Sequence, residues 1–340
     1  MNKNISSRVL IPINMPVPAP LTSGAQAADM GGHTMGTSWH VKLMRPPHMA
    51  LSELQTGVQH TLDQVVAQMS HWDVNSDLSR FNSAPAGSWH CLPPALFTVL
   101  DYALFIAQQS GGAFDPSIGK IVNIWGFGPD HRASTVPDAT VLQQARQSCG
   151  WQQLSVERLP QRAYQPGGVH LDLSGIAKGF GVDQVARYLE AQGINAYLVE
   201  VGGELRGLGC KPDNSPWWVQ LEQPASNRVT AIRTIVALHG LSIATSGDYR
   251  RYFEQEGQRY SHTIDPRTGY PIEHALASVT VLHAECMAAD ALATAMLVLG
   301  PEAGLAYAEQ WRLPCLFISR SAQGLSETMS SAMRAMLEKE

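Results

Sequence analysis

The chain has 340 residues, enough for one large domain or two ordinary ones with a full hydrophobic core. Its formal net charge is −5 and it has no Lys/Arg-rich run, so composition gives no footprint for nucleic acid. The five cysteines form no CxxC pair and the twelve histidines show no HExxH spacing, which leaves no zinc-site pattern.

Residues 1–30 differ from the rest. "MNKNISSR" is basic, "VLIPINMPVPAPL" is apolar but broken by prolines, and "SGAQA" is a run of mostly small residues. This reads either as the three regions of a secretion signal, with a periplasmic address, or as a disordered extension. No cysteine precedes Cys91, so an amino-terminal lipid anchor has no attachment point in this stretch. No later stretch reads as long and apolar enough to span a membrane.

Residues 31–340 read as one continuous domain, with room for two lobes. "LSELQTGVQHTLDQVVAQM" (51–69) spaces Leu54, Val58, Leu62, Val65 and Met69 for a helix, with Ser52 and Gln55 as a capping box. A buried helix is expected over 94–112, stopped by Gly111 and Gly112. "LDLSGIAKGFGVDQ" (171–184) reads as strand, Gly-rich turn and helix, the helix running over 181–193. Strands follow in "NAYLVEVGGEL", "WWVQLE", "RTIVALH" and "ASVTVLHA". A helix is expected over 286–300, another from about Pro301, then the strand "LPCLFIS". Strands and helices mix without strict alternation, which argues for a layered α+β fold.

Four stretches could carry chemistry. The 286–300 helix is apolar on nearly every face, yet it holds Asp290, with Thr294 one turn later. A buried carboxylate is costly unless it is paired, hydrogen-bonded or metal-bound. Carboxylate plus hydroxyl suits Mg²⁺; the alternative is Asp290 on a backbone amide and Thr294 bonded back to its own helix. The Gly-rich turn could attract phosphate through amides and Lys178, or be structural, since it matches neither the Walker A nor the dinucleotide fingerprint. Trp72 could stack on a planar ring or pack in a core. The irregular aromatic-glycine stretch after Phe114 and Asp115 reads as pocket-lining.

"SHTIDPRTGYP" (261–271) raises the fourth question. His262 is expected near the end of a hairpin that turns at Glu256-Gly257, with Asp265 and Pro266 opening the next turn. His262 could take a proton from a hydroxyl nucleophile, or His262 and Asp265 could simply tie the turn.

Together "HTMGTSWHVKL", "MSHWDVNSDLSRFN", "GGAFDPSIGKIVNIWGFGP", "LDLSGIAKGFGVDQVARYL", "LVEVGGELRGLG", "IATSGDYRRYF", "HTIDPRTGYP" and "SVTV…ADALATAMLVLG" resemble, in order, the ApbE-type FAD:protein FMN transferases. The resemblance runs from about His33 to Gly300. It implies a flavin-transferase fold and an enzyme that binds FAD with Mg²⁺, moves FMN onto a threonine of a target flavoprotein and releases AMP. It implies metal ligation by the Ala177 carbonyl, Asp290 and Thr294. It implies FAD contacts from Met35, Trp72, Ala113, Phe114, Asp115, Ser174, Lys178, Phe180, Asp183 and Ile264, with His262 as the base. Trp72 stands where Tyr is common in the family, and Ser174 where Gly is common. Implied partners are subunits of membrane redox complexes. An FAD pyrophosphatase and a non-catalytic FAD carrier are the competing expectations.

Overall fold

The computed structural model describes residues 7–13, 15–130, 135–224 and 233–337. Its longest helices are α1 (Leu51–Met69), α2 (Pro94–Gln109), α3 (Ala177–Ala191) and α4 (Cys286–Gln310). The chain divides into two compact units: Met1–Asp63, Lys178–Ser246 and Ala275–Glu340 make the first, Gln64–Ala177 and Gly247–His274 the second.

The first unit is built on an eight-stranded sheet. Its strands are β1 (Gln26–Thr34), β2 (Thr37–Arg45), β3 (Tyr197–Val201), β4 (Glu204–Leu208), β5 (Leu241–Gly247), β6 (Leu276–His283), β7 (Cys315–Ser321) and β8 (Gly324–Met329). Their order across the sheet is their order in the chain. Along β2, Trp39, Val41 and Leu43 point into the core while His40 and Lys42 point out, the period-2 pattern of a strand with one wet face. In β6 all residues but His283 are buried, as an apolar, β-branched run inside a sheet should be. Met35 and Gly36, both at positive φ, turn β1 into β2, and Gly202 and Gly203 turn β3 into β4.

Leu54, Val58 and Leu62 of α1 pack with Trp39, Val41 and Leu43 and with Val182, Val185 and Leu189 of α3. The predicted stripe of α1 is thus its core face, but the capping box does not form. The helix starts at Leu51, which puts Ser52 inside the first turn, and the Gln55 amide donates to the Gly31 carbonyl instead.

A second core cluster joins Leu10 to Leu238, Ile243, Leu316 and Met333. Ser7–Leu10 is a strand, paired parallel with Arg233–Leu238, and Leu10 is fully buried. The folded part of the chain therefore begins well before residue 31, which itself lies inside β1. Residues 1–6 and 14 of the expected extension lie outside the described residues.

α4 corrects one expectation and keeps another. By length and composition Cys286–Gln310 is apolar enough to cross a membrane, unlike the reading from sequence; more than half of its most apolar stretch is buried in the protein. Gly300, at φ 84° and ψ −178°, divides it into two helical segments, and the second starts at the predicted Pro301.

In the second unit, Ser88–Cys91, Ser155–Arg158 and Gln161–Gln165 form a three-stranded sheet. Its apolar cluster holds Ile121, Trp125, Phe127, Leu142, Ala145 and Ile264. The aromatic-glycine stretch after Asp115, expected to line a pocket, is divided: Trp125 and Phe127 fill this core, while Gly119, Asn123 and Pro129 line a cavity. The hairpin Tyr252–Gln255 with Gln258–Ser261 turns at Glu256 and Gly257, both at positive φ, where the sequence puts it.

Candidate functional site

The residues singled out divide between the two units. In the first, α3 starts at Ala177, four residues earlier than its periodicity predicts, and Leu171–Leu173 is not a strand. Lys178 and Gly179 therefore lie in the first helical turn, where backbone N–H groups have no intrahelical acceptor, with Phe180 just after them. One of them is used: Gly179 N–H donates to Asp290 Oδ2 at 3.0 Å.

Asp290 is only 3% exposed, and its Oδ1 lies 3.7 Å from Lys178 Nζ. Lys178 Nζ is 2.7 Å from Glu204 Oε1, and Glu204 is 2% exposed. One ammonium thus serves two buried carboxylates. Thr294 Oγ1 lies 2.9 Å from Ser246 Oγ. The backbone-amide alternative for Asp290 is realised on one oxygen, while the hydroxyl of Thr294 finds a side chain on β5.

This donor set fits a hard divalent cation. Among the described residues the Asp290 carboxylate is paired with one ammonium, which it shares with Glu204, and a hydroxyl oxygen sits one turn along the same helix. Among the described residues no cluster of three or more His, Cys, Asp or Glu could hold a metal. Protein groups alone would leave the shell incomplete, as Mg²⁺ sites completed by water and phosphate oxygens do.

Met35 is at φ 49°, an uncommon conformation for a residue with a side chain, and its methyl lies 3.1 Å from where a Cβ on Gly181 would be. Phe180 is buried. Asp183 is a correction. The resemblance implied an FAD contact, but its carboxylate is 1% exposed, accepts from Cys286 N–H and Met287 N–H, and pairs with Arg206 Nη1 at 2.6 Å. It is committed inside the protein.

In the second unit Trp72 is 48% exposed, with its ring 5.7 Å from that of His71. Ala113 and Phe114 are buried. Asp115 accepts from Ser117 N–H and Oγ–H and from Trp151 N–H at 2.7 to 2.9 Å. Burial pushes its carboxyl above the ordinary carboxylate value, and those hydrogen bonds oppose the shift. Ser174 is exposed, and its N–H donates to Asp172 Oδ1.

Asp172 and His71 were not foreseen. His71 Nδ1 lies 3.6 Å from Asp172 Oδ1, and both line a cavity of about 170 Å³ with Asn82, Gly119 and His170. The criterion that drew attention to Asp290, a carboxylate inside an apolar stretch, applies equally to Asp172 between Leu171 and Leu173.

His262 follows the hairpin. Its Nδ1 lies 3.0 Å from the Arg251 carbonyl oxygen, which can only accept. In the neutral ring Nδ1 therefore carries the proton and Nε2 the lone pair. The loop beyond is tied by Asp265, whose two oxygens take the Arg267 guanidinium at 2.8 and 2.9 Å. Trp125 Nε1–H donates to the Gly269 carbonyl at 2.8 Å, and Ile264 is buried against Trp125 in the core cluster. Asp265 ties the turn through Arg267 and His262 ties it to the hairpin through Nδ1, as the structural reading has it, while the neutral ring keeps a lone pair on Nε2.

The chain belongs to the ApbE family, whose model matches residues 35–317. Among curated relatives, the FAD:protein FMN transferase of Vibrio cholerae is 41% identical, with 93% of this chain and 94% of that protein covered. The Haemophilus influenzae protein of the same name is 36% identical over 99% of both chains. Among solved structures, the apo form of the Pseudomonas stutzeri flavinyl transferase ApbE superposes with a TM-score of 0.86 at 40% identity. That match covers 93% of this chain and 98% of that one.

Proposed function

We propose that this protein is an FAD:protein FMN transferase, an enzyme that moves the FMN half of FAD onto a target protein. The observation that carries the reading is the pairing of buried Asp290 with Lys178 at the start of α3. It occurs in a chain 41% identical to a relative of that name.

In this reading the reaction breaks the pyrophosphate P–O–P bond, forms a P–O bond to a threonine hydroxyl of the target, and releases AMP. Asp290 and Thr294, with the Ala177 carbonyl, would hold Mg²⁺, which would supply charge neutralisation on the pyrophosphate. Lys178 contributes a fixed positive charge. His262 takes the hydroxyl proton on Nε2, the nitrogen left basic by the Nδ1 contact to Arg251. Trp72, the Ala113–Asp115 segment, Ser174 and Ile264 stay assigned to FAD, whereas the carboxylate of Asp183 does not. The acceptor is a flavoprotein subunit of a membrane redox complex.

Mass spectrometry of one mixture tests this: the protein, FAD, Mg²⁺ and a target domain bearing a Ser/Thr-Gly-Ala-Thr-like stretch. The target is expected to gain the mass of FMN less water as AMP appears. Free FMN and AMP beside an unmodified target would replace the transferase with a pyrophosphatase, and intact FAD would leave a carrier.

A further inference from the structure

α4 begins without a cap of its own. Glu285 occupies its N-cap position and makes no capping bond with its side chain. The first N–H groups are met from another helix: Asp183, on α3, accepts from Cys286 N–H at 3.0 Å and from Met287 N–H at 2.8 Å. The service is returned, because Asp290 on α4 accepts from Gly179 N–H in the first turn of α3. Each helix start is capped by a carboxylate of the other.

Two further features make this arrangement stiff. A Cβ on Gly179 would lie 2.3 Å from the Cys286 carbonyl oxygen, so the helix starts meet backbone to backbone. The charge on Asp183 is met by Arg206 at 2.6 Å; Arg206 also lies 3.4 Å from Glu285, which pairs with Arg187 at 2.8 Å. A carboxylate this deeply buried, with two N–H donors and a guanidinium, has one orientation open to it.

We infer that Asp183 is the positioning residue of the metal site: by capping α4 it sets where Asp290 and Thr294 stand relative to Lys178. The inference rests on the reading of Asp290 and Thr294 as metal ligands. Asp183 touches neither metal nor substrate. Its effect passes through the start of α4 at Cys286, one turn before Asp290 and two before Thr294.

The test is Mn²⁺ binding, followed by the electron paramagnetic resonance signal of free Mn²⁺ in titrations of the full chain loaded with FAD. Asp290→Ala identifies binding at this site by its loss. In Asp183→Ala the dissociation constant is expected to rise by about tenfold or more, as for groups that orient metal ligands. In Asp183→Asn, which keeps one acceptor oxygen, it should rise less. Leu10→Ala weakens a different core cluster of the same unit and should leave the constant unchanged, which separates positioning from general loss of stability. Wild-type affinity in Asp183→Ala would overturn the inference. If that variant does not fold, wild-type affinity in Asp183→Asn would do the same. No Mn²⁺ binding by the wild-type protein would remove the metal reading itself, and the inference with it.

Discussion

At the scale of single residues, the function turns on which polar atoms are already committed. His262 spends Nδ1 on the Arg251 carbonyl, which in the neutral ring puts the lone pair on Nε2, the atom proposed above to take the proton. His262→Ala is expected to lower the transfer rate by about 10²–10⁴-fold, the usual worth of a positioned base. FAD binding should be nearly unchanged. Single-turnover rates with binding measured separately check this, and an unchanged rate at neutral pH would end the assignment.

Cys149 gives a prediction about pH. Burial, and then the charge of Asp115, push its thiol from 9.0 up to about 11. The folded state holds this proton longer than the unfolded one. The corresponding stability is full below pH 9 and is lost as pH rises towards about 11. At pH 8 roughly a thousandth of Cys149 is thiolate. Iodoacetamide followed by peptide mass spectrometry should therefore show the exposed Cys91 modified first, with Cys149 catching up only towards about pH 11. Equal rates at pH 8 would contradict the burial argument.

Residue chemistry was only partly legible in the sequence. Asp290 stood out because an apolar helix makes a carboxylate anomalous. Asp183 did not, because the N–H groups it caps are about a hundred residues away in the chain. The same distance hid Gly179 as the donor to Asp290.

At the scale of elements, legibility followed locality. The 252–261 hairpin and the break before Pro301 were readable because Glu-Gly and Gly-Pro fix backbone geometry within two residues. The start of α3 was missed because Gly175, Gly179 and Gly181 read as a turn. In the structure, Gly179 is helical and is glycine because α4 leaves no space for a side chain. Gly179→Ala should therefore cost about 1–3 kcal/mol, as overpacking does, despite the better helix propensity of alanine. Chemical denaturation measures it; a neutral or stabilising result would show that the helix starts can separate freely.

At the scale of the whole molecule, the amino-terminal segment matters more than its composition implies. Its prolines and small residues pointed to an extension, and no local pattern could show that Leu10 would find Leu238 and Met333. Leu10→Ala should cost about 2–5 kcal/mol, the range for deleting a buried leucine side chain. A chain starting at residue 31 loses that residue and also Met30, and should melt at a lower temperature by circular dichroism. An unchanged melting temperature would mean that this strand adds nothing to the fold.

The sheet of the first unit runs β1 to β8 in chain order, but the second unit is inserted between two of its neighbour pairs. Residues 64–177 intervene between β2 and β3, and residues 247–274 between β5 and β6. This divides the assembly of the sheet in time. The β1–β2, β3–β4 and β7–β8 hairpins close short loops and can form at once. Joining β2 to β3 must wait for a long loop to close, and closure entropy grows with loop length. As the chain leaves the ribosome, the β1–β2 hairpin emerges first, and the side of β2 meant for β3 stays open while residues 64–177 are made. The alternation of His40 and Lys42 with the core residues of β2 is then more than a surface pattern. It places an imidazole and a charge along the strand during the interval when that edge is exposed to other chains.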